Sequence, residues 1–214
     1  ELHKLIPGKI LCIVAGDEKA YDLARELQGF IDAQRIFLFL GRDLVFMKEN
    51  YSIVESGRIK TLQECLQHPS RSGIIITTPA AFMYKFLSPQ EMRAATLKLR
   101  LEEEHPLNHL LKQLVKNGYK RVTTISRAGE FAVRGGTLDI FPPAEEQALR
   151  VEFFGDYVDS IRRLDIDSQR SGKKEKHVII TPSDELYTDN PNSTLLDYLA
   201  PETPLFLDEA RECY

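Results

Sequence analysis

Lys9-Ile-Leu-Cys-Ile-Val-Ala15, cut off at once by Gly16-Asp17, decides the fold of this chain. An unbroken apolar run of this length fits a strand covered on both faces, which is the habit of parallel sheets. Asp17 is placed to cap a helix in which Ala20, Leu23, Ala24, Leu27 and Ile31 share one side. Working outward, residues 35–40 read as a second strand, 54–66 as a helix and 73–78 as a third buried strand. Pro79 suits the first turn of a short helix running to Phe86. Strand and helix alternating at these lengths predict a parallel sheet with right-handed crossovers.

The pattern changes near Thr96. Residues 96–101 alternate strictly between apolar and polar, as a strand with one wet face does. Pro106 opens a helix carrying Leu107, Leu110, Leu111, Leu114 and Val115 at helical spacing, and Gly118 closes it. Four β segments follow, at 121–126, 130–141, 149–154 and 157–166, with Gly155-Asp156 as a two-residue hairpin turn. Residues 194–199 read as helix, and 204–209 as an apolar strand ending in Asp208 and Glu209. The expected architecture is α/β. A parallel-sheet domain, 1–95 with 183–214, receives an inserted, mostly antiparallel β domain, 96–182, carrying one helix.

Composition narrows the function. The chain has 214 residues, 43% hydrophobic, and a net charge of −4, so it is not built as a general polyanion binder. Arg162, Arg163, Arg170, Lys173, Lys174 and Lys176 cluster, but no aromatics interleave for base stacking, and residues 171–176 are expected to be a solvated loop. No apolar run reaches membrane-spanning length, and residues 1–6 lack the features of a signal peptide. Cys12, Cys65 and Cys213 show no metal or pairing pattern, and reduced thiols in a cytoplasmic protein are expected. His3, His68, His105, His109 and His177 are scattered and make neither a triad nor a metal set.

Chemistry concentrates on one strand. In Leu149-Arg-Val-Glu-Phe-Phe154 the odd positions form an apolar face, which puts Arg150, Glu152 and Phe154 on the other. An arginine and a phenylalanine on the wet side of a strand have the composition of a binding hot spot, although Phe154 covering a hairpin end is the plainer reading of spacing alone. In the preceding segment Phe131 and Val133 are apolar at odd positions, Leu138 and Ile140 at even ones. The parity slips between them, and a bulge at Gly135-Gly136 is the expected cause. Arg134 sits beside that slip on the face opposite Phe131 and Val133. Arg134, Arg150 and Phe154 are therefore the candidate docking patch, since a guanidinium fork engages a carboxylate through two bonds.

Three stretches carry a resemblance: residues 129–142 (GEFAVRGGTLDIFP), 149–156 (LRVEFFGD) and 165–170 (DIDSQR). Together they resemble the bacterial transcription-repair coupling factors. The first two are also similar to UvrB, the helicase-like excision-repair subunit that shares this module. The resemblance implies that the β domain recruits UvrA, with the family's partner-contacting positions falling on Arg134, Arg150 and Phe154. It further implies a RecA-like helicase half without a working P-loop, and no GxxxxGK[ST] occurs in this chain. Asp208 and Glu209 are then the remnant of a magnesium-holding strand end. No cofactor is expected here; ATP and magnesium would serve a motor elsewhere in the parent protein. RNA polymerase and DNA would likewise be met by other parts of it.

The alternative is a UvrB-type, ATP-dependent damage-recognition subunit; a third reading is an unrelated nucleotide-binding α/β enzyme. Against UvrB stands the lack of a tyrosine-rich hairpin, since only Tyr51 occurs between Leu40 and Gly73. Family members carry a long segment where only residues 187–193 bridge here, so residues missing there or before Glu1 are an expectation.

Overall fold

The computed structural model describes residues 8–41, 51–186 and 190–208. His3, Cys213 and Glu209 lie outside them. The chain runs β1 (Lys9–Ile13), α1 (Asp17–Leu27), β2 (Ile36–Phe39), α2 (Tyr51–Gln67), β3 (Gly73–Thr77), α3 (Pro79–Met83) and α4 (Pro89–Ala95). It continues with β4 (Leu97–Arg100), α5 (Leu107–Lys116), β5 (Lys120–Arg121), β6 (Glu130–Arg134), β7 (Thr137–Ile140), β8 (Ala148–Phe154) and β9 (Tyr157–Leu164). Last come β10 (Ser171–Glu175), β11 (His177–Ile180), a short 3-10 turn at Leu195–Tyr198 and β12 (Leu205–Leu207). Two compact units result: Glu1–Pro89 with Thr188–Tyr214, and Gln90–Tyr187.

The first unit holds a four-stranded, all-parallel sheet in the order β12-β1-β3-β2. β1 lies between β12 and β3, which is why its run is apolar throughout: Ile10, Leu11 and Ile13 are buried. Gly16, not Asp17, is the N-cap of α1, and Asp17 instead places a carboxylate in the first turn, where the helix dipole favours it. α3 ends at Met83, and Phe86 bridges to Ser193 in extended conformation. The expected helix at 194–199 is a single 3-10 turn, closed by a Thr194/Asp197 capping box. Cys12 is half-buried and Cys65 buried, and neither is in a disulfide. Burial pushes the Cys65 thiol up to about 12, so it stays protonated.

The second unit is built on a six-stranded sheet ordered β10-β9-β8-β7-β6-β5, beside a two-stranded antiparallel pair, β11 with β4. Its main core gathers Leu110 and Leu114 of α5, Leu99, Val178 and Ile180 of the small pair, and Phe131, Leu138, Ile140, Leu149, Val151 and Ile161 of the large sheet. Val115 is exposed, so the apolar stripe of α5 is narrower than the spacing implied.

Three expectations change here. Gly135-Gly136 is not a bulge but the two-residue turn of a hairpin, with Val133 opposite Leu138 and Phe131 opposite Ile140. Cross-strand partners in such a hairpin have opposite parity, which produces the slip without an extra residue. Gly136 is needed there: a Cβ would lie 2.8 Å from the Phe153 carbonyl oxygen. Residues 171–175 are not a loop; β10 pairs with β9, and its sequence reads as solvent-exposed because it is an edge strand. Finally, of the segment 121–126 only Arg121, the end of β5, is strand, and the rest loops over the sheet.

Candidate functional site

Cross-strand register assigns the faces of the six-stranded sheet. Phe131, Ile140 and Leu149 align on the core face, and so do Val133, Leu138, Val151 and Ile161. One residue along each strand, Ala132, Asp139, Arg150 and Arg162 align on the opposite face, as do Arg134, Thr137, Glu152 and Ser160. Phe154 and Tyr157, opposite one another beside the turn, close the row. The sheet thus brings Arg134, Arg150 and Phe154 to one face. At the far end of that face a second small core, Ile125, Ala132, Ala148 and Leu164, lies beneath the loop after β5.

The three side chains differ in freedom. Phe154 is 82% exposed. Arg150 is only 21% exposed and grips Asp139 through two bonds, Nε to Oδ1 at 2.7 Å and Nη2 to Oδ2 at 2.8 Å, with Asp139 6% exposed. The bond to Asp139 holds the Arg150 guanidinium above its ordinary pKa, against the opposing effect of burial. Arg134 reaches sideways: its Nη2 donates to the Thr123 carbonyl oxygen at 3.0 Å and to Thr124 Oγ1 at 2.9 Å, tying down the loop over the second core. Both arginines therefore hold the scaffold as well as face outward. Asp139 was readable as the one carboxylate in the run Thr137-Leu-Asp-Ile140, on the face opposite its apolar neighbours.

The same loop is fastened by Glu130. Its carboxylate accepts from the Ser126 N–H and hydroxyl and from the Arg127 N–H and Nε. Burial pushes the Glu130 carboxyl up, but the bonds from Ser126 and Arg127 and the Arg127 charge outweigh it, leaving the pKa below its ordinary 4.5. A depressed carboxylate stabilises the fold above its unfolded pKa, and that contribution disappears as pH falls through the folded value. Glu130→Gln is expected to cost roughly 1 kcal/mol at neutral pH, since the amide keeps only part of the bonding that the buried carboxylate accepts. Thermal melts across the acid range check this: the gap between wild type and variant closes as Glu130 protonates.

The hairpin tip bearing Phe154 is braced from outside. The Glu102 N–H donates to the Val158 carbonyl, the Val158 N–H to the Glu103 carbonyl, and the His105 N–H to the Asp156 carbonyl at 2.7 Å. Asp156 Oδ1 also accepts from the Leu107 N–H at 3.3 Å, at the start of α5. One turn residue thus serves the hairpin and the helix end. Asp156→Ala is expected to destabilise the unit by about 1 kcal/mol, as other helix-cap losses do. Chemical denaturation reads that change, and an unaltered midpoint would show the cap to be idle.

Asp208, the described half of the acidic pair, is exposed at the end of β12, where its N–H donates to the Ile13 carbonyl. Burial first, and its carboxylate second, raise the Cys12 pKa. Among the described residues no cluster of three or more His, Cys, Asp or Glu could hold a metal ion, and no helix is long and apolar enough to cross a membrane.

An antiparallel face with an exposed aromatic tip, one arginine ion-paired to Asp139 and a second bonded to the loop over the sheet has the composition of a protein-interaction module. Residues 97–186 match the family model of the UvrB interaction domain. Over 197 residues, 89% of the chain, it is 35% identical to the transcription-repair-coupling factor of Staphylococcus aureus strain USA300, and over 188 residues, 85% of the chain, 33% identical to that of Staphylococcus haemolyticus. The chain belongs to the family of transcription-repair-coupling factors over the stretch it shares with them, which is 16% of their length.

Proposed function

We propose that this chain is the region of a transcription-repair coupling factor that docks UvrA, recruiting it to RNA polymerase stalled at a DNA lesion. The observation that carries this reading is the 82% exposed Phe154 on a braced hairpin tip, sharing its face with Arg134 and Arg150. An ordered aromatic anchor loses little conformational freedom on binding, which is the economy hot spots rely on. The parent protein is then an ATP-dependent DNA translocase whose motor lies outside this chain. The parallel-sheet unit is its RecA-like half without a phosphate cradle, with Asp208 and Glu209 as the residue of a magnesium site.

Equilibrium binding of the purified chain to UvrA tests this directly. A complex is expected, and its absence at ~100 µM, where even weak specific interfaces are populated, sinks the reading. Measured in parallel, ATP affinity separates the alternative: docking predicts none for this chain, whereas a UvrB-type subunit binds the nucleotide.

A further inference from the structure

Arg150 is spoken for, yet the positive charge of its row continues. On the open face, register runs from Asp139 on β7 to Arg150 on β8, Arg162 on β9 and Lys174 on β10. Asp139 is consumed by the bidentate bond to Arg150, and Glu152 accepts from the Ser160 hydroxyl. Arg163, one position along, turns to the other side and pairs with Glu145 and Glu175. Among the described residues Arg162 and Lys174 have no carboxylate partner, although they lie next to each other across two strands. Two adjacent unpaired cations on a rigid sheet repel one another, a cost that an acidic partner relieves.

We propose that Arg162 and Lys174 extend the docking surface across β9 and β10 and take carboxylates from an acidic patch on the partner protein. This rests on the docking reading above. The contact with Phe154 and Tyr157, 82% and 53% exposed, is apolar and insensitive to salt, whereas the Arg162/Lys174 contact is electrostatic and sets the encounter rate and the salt dependence. Two cations on neighbouring strands, with no aromatic between them, suit a few carboxylates better than a continuous phosphate backbone. Arg150 then acts chiefly as a positioning residue, and Arg162 is the guanidinium whose fork is open to a partner.

The experiment measures affinity of the full 214-residue chain for UvrA at low and at high salt, for wild type, Arg162→Gln/Lys174→Gln and Phe154→Ala. Circular dichroism and melting first establish that each variant is folded. The double variant is expected to bind about tenfold more weakly at low salt and to converge on wild type at high salt. Phe154→Ala is expected to be weaker at both. Wild-type affinity and salt slope in the double variant, with Phe154→Ala impaired, overturn this proposal and leave the docking reading intact. Wild-type behaviour in both variants overturns the two together. A duplex DNA arm closes the remaining route: binding to duplex by wild type that the double variant loses would assign the row to nucleic acid and overturn the proposal.

Discussion

Phe154→Ala is expected to weaken UvrA binding by ~2 kcal/mol or more, roughly thirtyfold in affinity, while the melting temperature stays where it is. The two halves of that expectation have one cause. The ring is 82% exposed, so truncating it removes almost nothing from the core, and exposed substitutions of this kind stay within about 0.5 kcal/mol. Its main chain is nonetheless held: Phe154 opposes Tyr157, Gly155 takes a positive φ of 63° in the turn, and Tyr157 is bridged to Glu104. The anchor is presented without being buried. Calorimetric titration beside a thermal melt decides the matter, and unchanged affinity would remove Phe154 from the site.

Arg150→Ala is expected to behave in the opposite way. Composition alone presents it as another harmless surface change, but the bidentate bond to a nearly buried Asp139 makes it a structural one. Deleting the guanidinium leaves a carboxylate at 6% exposure without its counter-charge, and breaking such a pair costs about 3 kcal/mol. For a unit of this size the melting temperature should fall on the order of 10 °C. Replacing both members, as Asp139→Val/Arg150→Leu, should restore most of that loss, because an apolar pair leaves no orphaned charge. The double variant then separates scaffold from contact. If it melts like wild type and binds like wild type, Arg150 serves only the fold; if it melts like wild type and binds weakly, Arg150 touches the partner. Should Arg150→Ala alone melt unchanged, the pair holds nothing.

What could be read beforehand followed side-chain period. The apolar run of β1 announced a strand enclosed on both sides, and it lies between β12 and β3. The alternation of Leu149 to Phe154 and the Gly155-Asp156 turn announced a half-wet hairpin, and Leu149 and Val151 are buried opposite Arg150 and Phe154. What could not be read depended on partners distant in sequence. β10 carries Ser-Gly-Lys-Lys-Glu, a string with no strand propensity, and it is a strand only because β9 offers it hydrogen bonds. The Gly135-Gly136 slip was visible, but a bulge and a two-residue turn shift parity alike, and only pairing tells them apart. The engagement of Arg150 was hidden for the same reason: its partner sits eleven residues earlier, on the neighbouring strand β7. Composition named the candidate residues of the patch; register decided which of them are occupied.

Both borders of the six-stranded sheet are short or spoiled. β5 contributes only Lys120–Arg121, and β10 is glycine-bearing, lysine-rich and irregular between Ser171 and Lys174. Such margins offer no clean ladder of unpaired amides to a foreign strand, which discourages both self-assembly and capture of an extended peptide by sheet continuation. Any companion this unit selects must be recognised through side chains standing on its broad surface.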